Sequence, residues 1–140
     1  MIPRLLSLFP GCALVVWLVG CASGQDATGL KHVQRVQAGN LDVVVLSAAG
    51  AFKQGKDSFV LEFRSRPDQT LLDVGAVKVS ATMVMAGMPP MMGDTAIMRS
   101  DTPGRYAVTT ELNMAGSWRL GLEWDGPAGK GSTTFQWQVQ

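Results

Sequence analysis

Six of the eight methionines fall between Met83 and Met98, most of them in the segment Met83-Val84-Met85-Ala86-Gly87-Met88-Pro89-Pro90-Met91-Met92-Gly93-Asp94. A thioether sulfur is a soft, uncharged donor, so a cluster of them points to Cu(I) or Ag(I) before zinc or iron. Met88, Met91 and Met92 sit in a stretch bounded by glycines and prolines, where a loop can gather three sulfurs, with Met85 as a fourth donor from the end of the preceding strand. Two other readings fit the same residues. Met83 and Met85 fall on the apolar side of an alternating segment and can be core filler, and proline-flanked methionines can form an adaptable hydrophobic contact surface. Metal site, contact surface and packing all remain open at this point.

The second residue with distinctive chemistry is Cys21. Arg4, an apolar run from Leu5 to Val19 and the small Gly20 precede it, which is the pattern of a lipoprotein signal. The cysteine of such a signal is acylated with palmitate-type chains and becomes the mature N-terminus. A transmembrane helix needs roughly 20 apolar residues, and this run is shorter and broken by Pro10 and Gly11. The expectation is a signal peptide over residues 1–20, lipidation at Cys21 and a protein held to the membrane of a bacterial cell envelope by its N-terminal lipid. Ala22 resembles the residue that follows the cysteine in lipoproteins sorted to the outer membrane, facing the periplasm.

Other chemistry is sparse. Cys12 lies in the signal and Cys21 carries the lipid, so no thiol is left for a disulfide, and His32 stands alone, which excludes zinc sites built on several Cys or His residues. Removing residues 1–20 takes Arg4 with it and leaves 11 basic and 11 acidic side chains, scattered singly. Nucleic-acid binding needs a basic patch to neutralise phosphates, and none is present in the pattern. Nor is an enzyme expected. His32 lies beside a polar tether, Glu62, Glu111 and Glu123 fall on polar strand faces where water should solvate them, and no Gly-rich phosphate loop opens a helix.

Residues 21–32 are small and polar and are expected to form a flexible tether. Residues 33–140 show period-two alternation in segment after segment, as in Val77-Val79-Ala81-Met83, Tyr106-Val108-Leu112, Trp118-Leu120-Leu122-Trp124 and Phe135-Trp137-Val139. Each pattern puts one apolar face on a core and one polar face in water. Turn chemistry separates the runs at Gly39-Asn40, Gly55-Lys56-Asp57, Arg66-Pro67-Asp68, Pro103-Gly104, Asn113 to Gly116 and Asp125 to Gly129. Seven or eight strands follow, with Val33 to Gln37 and Ile97 to Met98 the weakest. The fold class predicted is all-β, an immunoglobulin-like antiparallel β-sandwich, with a small closed barrel as the alternative. Its core should receive Phe59, Phe63, Trp118, Trp124, Phe135 and Trp137. Tyr106, just after a turn, is either a tyrosine corner that holds the preceding loop or an ordinary strand aromatic.

In its linked motifs the chain resembles the YtkA-like or FixH-like family. The residues that carry the likeness are Gly55-Lys56-Asp57 leading into Phe59 to Arg64, then Met88-Pro89-Pro90-Met91-Met92-Gly93, then Pro103-Gly104-Arg105-Tyr106, then Met114-Ala115-Gly116-Ser117-Trp118. The resemblance implies a small extracytoplasmic domain of immunoglobulin type, found alone, as lipoproteins, or appended to heavy-metal efflux adaptors and oxidase-assembly proteins. Family loops often end in a histidine where this chain has Asp94, which removes the ligand best suited to Cu(II). Two functions are therefore expected. One is handling of Cu(I) or Ag(I) through Met88, Met91, Met92 and Met85, and the other is non-catalytic docking on an efflux or oxidase-assembly complex through a strand edge or the methionine segment.

Overall fold

A computed structural model describes residues 29–140. The expected signal peptide, the lipidation site Cys21 and most of the tether lie outside the described residues. Alternation becomes eight strands: β1 (Lys31–Ala38), β2 (Leu41–Ser47), β3 (Gly55–Ser65), β4 (Ala76–Met83), β5 (Met91–Arg99), β6 (Arg105–Leu112), β7 (Gly116–Gly126) and β8 (Gly129–Val139). Strand β1 begins at Lys31, so the ordered domain takes in the last two residues assigned to the tether. Among the described residues there is no helix, hence none long and apolar enough to cross a membrane.

All the ladders between strands are antiparallel, in the order β1-β2-β3-β6-β5-β4-β7-β8. The subset β2-β3-β6-β5 beside β4-β7-β8 has the two-sheet strand order of a constant-type immunoglobulin domain, with β1 added outside β2. Strand β5 belongs to both sheets. Its residues Met91 to Gly93 pair with β4, and Asp94 to Arg99 pair with β6, so the two sheets form one continuous and nearly closed structure. A short parallel bridge between Phe52 and Val139 ties the β2–β3 connection to the end of β8.

The core forms where the inward sides of all these strands meet. Phe59, Phe63, Trp118, Trp124, Phe135 and Trp137 are all buried, as alternation predicts, and Phe52 from the β2–β3 connection joins them. Phe52 packs edge-on to Phe59 with ring centroids 5.4 Å apart, and Phe59 does the same to Trp137 at 5.3 Å, within the range where aromatic pairs attract. Two expectations need correction. Gly55-Lys56-Asp57 is the start of β3 and not a turn, because its residues already pair with β6 from Leu112 to Thr110. Strand β2 is buried on both faces, Asp42 and Val44 included, where alternation alone would leave one face in water.

The registers also fix two ends. Lys31 pairs with Ser47, Gly55 with Leu112, Met83 with Met91, and Gly116 with Val139. The start of β1, the β2–β3 connection, the β4–β5 tip, the β6–β7 turn and the chain's last residues therefore share one end, here called the entry end. Direct contacts agree: the Gln54 side chain donates to the Asn113 carbonyl at 2.9 Å, and the Gln54 N–H donates to the Gln140 carbonyl at 2.9 Å.

Candidate functional site: a methionine hairpin

The methionine segment is not one loop. Strand β4 ends at Met83, β5 begins at Met91, and only residues 84–90 connect them. The connection turns at Met85-Ala86-Gly87-Met88, where the Met88 N–H donates to the Met85 carbonyl at 3.3 Å and Gly87 takes a φ of 75°. A positive φ at the third position of a four-residue turn is what a type II turn requires, and glycine adopts it without strain. Pro89 and Pro90 then lead an exposed chain back into β5.

Placing Met91 and Met92 in a strand decides where their sulfurs go. Successive strand residues project to opposite faces, and β5 alternates between half-buried and exposed accordingly. Met91 packs against the core, paired across the ladder with buried Met83, and Met85 packs there too. Met92 is 64% exposed and Met88 56%. On the outer side the Thr82 hydroxyl reaches the Met92 sulfur at 3.6 Å, and exposed Asp94 follows Met92 on the same face. The structure thus separates the four expected ligands into an inner pair, Met85 and Met91, and an outer pair, Met88 and Met92. Met91 and Met92 lie at the start of β5 and not in the loop with Met88, and strand alternation sends these two neighbours to opposite faces. Among the described residues no three or more His, Cys, Asp or Glu side chains lie together as a metal-holding group.

The segment also carries most of the exposed large hydrophobic side chains. Five large hydrophobic side chains are exposed among the described residues, and Val84, Met88, Met92 and Met98 all belong to the β4–β5 hairpin, with Met114 in the β6–β7 turn. Its inner side is closed by packing: a side chain at Gly93 would meet Leu112 at 2.6 Å and the Trp118 ring at 3.2 Å, so the hairpin lies flat on the core at that point.

The other motifs prove architectural. Tyr106 is buried on β6, and its hydroxyl donates to the Gly75 carbonyl at 2.8 Å and approaches Asp73 Oδ1 at 3.3 Å. It therefore holds the β3–β4 connection, not the preceding loop. Burial, and then the neighbouring Asp73 carboxylate, push the phenol's pKa up. Asp73 is held below the usual carboxylate range chiefly by the Gly75 N–H at 2.9 Å, with further help from Arg99. The Trp118 indole N–H plays a similar part at the entry end, donating to the Met114 carbonyl at 2.9 Å. In each case a glycine stands at or just before the start of the strand, Gly104 before β6 and Gly116 in β7, and an inward aromatic two residues on ties down a loop.

Besides Asp42 on β2, alternation also misses the burial of a charged group on β3. Glu62 was expected in water, yet it is fully buried on the outer face of β3. Its Oε2 accepts from Arg64 Nε at 2.8 Å, and its Oε1 accepts from Arg105 Nε at 2.6 Å across the β3–β6 register. The alternation marks Glu62 as outward but says nothing of Arg105, which lies 43 residues on in the chain. A cleft of about 680 Å³ opens at the opposite end, against Leu72, Trp124 and Lys130. Of the charged groups around it, Asp73 pairs with Arg99 and Lys130 with Asp125.

Comparison with functionally described proteins finds no match. The family model described as YtkA-like matches residues 35–123, from β1 into β7, and the chain belongs to that family.

Proposed function

We propose that this member of the YtkA-like family is a lipid-anchored, non-catalytic contact module of the bacterial envelope, and that the β4–β5 hairpin is the surface through which it works. The observation that carries this reading is the exposure of Val84, Met88 and Met92, each more than half exposed, at the tip of one hairpin of a domain whose core is complete without them, with Met98 exposed further along the same hairpin. Monomeric domains rarely leave such side chains together in water unless something covers them. Methionine suits the task because its unbranched, polarizable chain adapts to a partner's shape. The lipoprotein pattern ending at Cys21 supports the anchor, and the family resemblance points to efflux and oxidase-assembly complexes as its setting. The non-catalytic reading rests on the paired state of the buried charged groups, Glu62 with two arginines and Asp42 with Arg35 and Arg66.

A second reading keeps the soft-metal chemistry, since the outer sulfurs of Met88 and Met92 are open to solvent and Cu(I) or Ag(I) is their natural cargo. Two thioethers on one side make a poorer site than the three or four expected from the sequence.

The experiment is a Met88→Asp, Met92→Asp double variant. The contact reading expects normal folding and normal membrane retention with loss of the hairpin's crosslinks in the native envelope, whether to lipid or to protein; unchanged crosslinks refute it.

A further inference from the structure

The hairpin has a direction relative to the anchor. Strand β1 enters the domain at Lys31, and the registers put that point at the same end as the β4–β5 tip and the β6–β7 turn. Val84, Met88, Met92 and Met114 all lie at this entry end, and only Met98 among the exposed large hydrophobics lies away from it. Nine residues separate Cys21 from Lys31. Even fully extended, that connection reaches no more than about 33–36 Å, so an acyl group on Cys21 keeps the entry end within that distance of the bilayer and the far end of the domain further out.

We infer that the apolar tip is seated in the lipid interface itself, and that the occupant of this surface is the bilayer. The inference rests on the anchored contact reading above and names its partner. Three features suit the tip to lipid. The run from Val84 to Gly93 carries no charged side chain over ten residues. Its backbone asks little of water: Pro89 and Pro90 have no N–H to desolvate, and the Met88 N–H is already bonded to the Met85 carbonyl. Exposed Lys31, Lys53 and Lys56 surround the same end on long stems that can lay their methylenes along the interface and their ammonium groups among phosphates. Of the carboxylates at that end, Asp57 accepts from the backbone N–H groups of Lys53 and Ser58, whereas Asp94 and Glu111 lie opposite one another on the β5–β6 ladder, set back from the tip.

Seating the tip gives the tethered domain a fixed orientation, with the cleft by Leu72, Trp124 and Lys130 and the β7–β8 turn facing away from the membrane. An amphipathic element at this depth buries its apolar side chains at the boundary between headgroups and acyl chains.

The test uses the full acylated protein in vesicles of phosphatidylethanolamine and phosphatidylglycerol. With Cys21 acylated and Cys12 in the removed signal, an added cysteine is the sole free thiol. Met88→Cys and Ala128→Cys each carry an environment-sensitive fluorophore, and nitroxide-bearing lipids report contact. Quenching is expected to be about threefold stronger at position 88 than at 128, as burial at the headgroup boundary requires, and to fall to the level at 128 when Val84→Asp and Met92→Asp are added. Equal quenching at both positions in protein that floats with the vesicles overturns the inference and leaves the anchor intact. Shielding of position 88 in native envelopes but not in these vesicles also overturns it, and assigns the surface to a protein. Protein that does not float at all overturns the anchored reading and this inference with it.

Discussion

Met91 and Met92 are chain neighbours on opposite faces of β5: Met91 packs on the core across the ladder from Met83, while Met92 stands 64% exposed beside the Thr82 hydroxyl. One residue of register divides packing from contact in this hairpin. An aspartate at position 91 should therefore cost about 2 kcal/mol or more, because it carries a charge into the core edge, whereas one at 92 should change stability by no more than about 0.5 kcal/mol. Urea denaturation of the two variants measures the difference. Equal costs would mean that the strand does not hold this register.

The Tyr106 hydroxyl bonds a carbonyl 31 residues earlier and has no substitute in phenylalanine. Tyr106→Phe should lose about 1–2 kcal/mol, since the buried Gly75 carbonyl loses its donor. Tyr106 and the neighbouring Asp73 also make stability depend on pH. The phenol's folded pKa is raised, so its contribution is complete below the unfolded value near 10 and declines as pH rises through the folded one. Asp73 is shifted the other way, so its contribution holds above the ordinary carboxylate range and is lost as pH falls through its depressed folded pKa. Thermal melts across pH should show a smaller alkaline decline in Tyr106→Phe and a smaller acid decline in Asp73→Asn. Wild-type slopes in both variants would contradict this assignment.

Glu62 is fully buried between Arg64 and Arg105, and removing it leaves two guanidinium groups without their shared carboxylate. Glu62→Ala should cost about 3 kcal/mol, the lower part of the range for breaking a buried ion pair, because both arginines keep some access to water. Denaturation in guanidinium chloride would check it. A cost under 1 kcal/mol would place Glu62 among ordinary surface charges.

Soft-metal binding has its own signature. If Met88 and Met92 hold Cu(I), anaerobic titration should show binding that disappears in Met88→Leu, Met92→Leu and survives Met91→Leu, because Met91 faces the core. Loss on Met91→Leu with the outer pair intact would point to a rearranged hairpin with a different ligand set.

Alternation made most of the fold legible. Trp118-Leu120-Leu122-Trp124 and Phe135-Trp137-Val139 each declare one buried face, and each is buried as read. Strand β5 was hidden because methionine falls on both of its faces and Gly93 stands where an inward side chain would collide with Leu112, so no apolar rhythm appears. Gly55 looks like a turn residue and does take a positive φ, but the chain after it pairs at once with β6. The reach of Tyr106 to Gly75, and of Arg105 to Glu62, depends on which strands lie side by side. Local spacing carries no record of that adjacency. The methionine cluster itself was legible as chemistry, and the division of its sulfurs between inside and outside came only with the register.

The most direct test of the contact account is a photocrosslinking map in the native envelope, with a photoreactive residue at position 92 on the hairpin and, as a control, at position 134 on the polar outer side of β8. The account predicts that position 92 yields a defined adduct with lipid or protein and that position 134 yields none. Equal labelling at the two sites, or adducts from 134 alone, would contradict it.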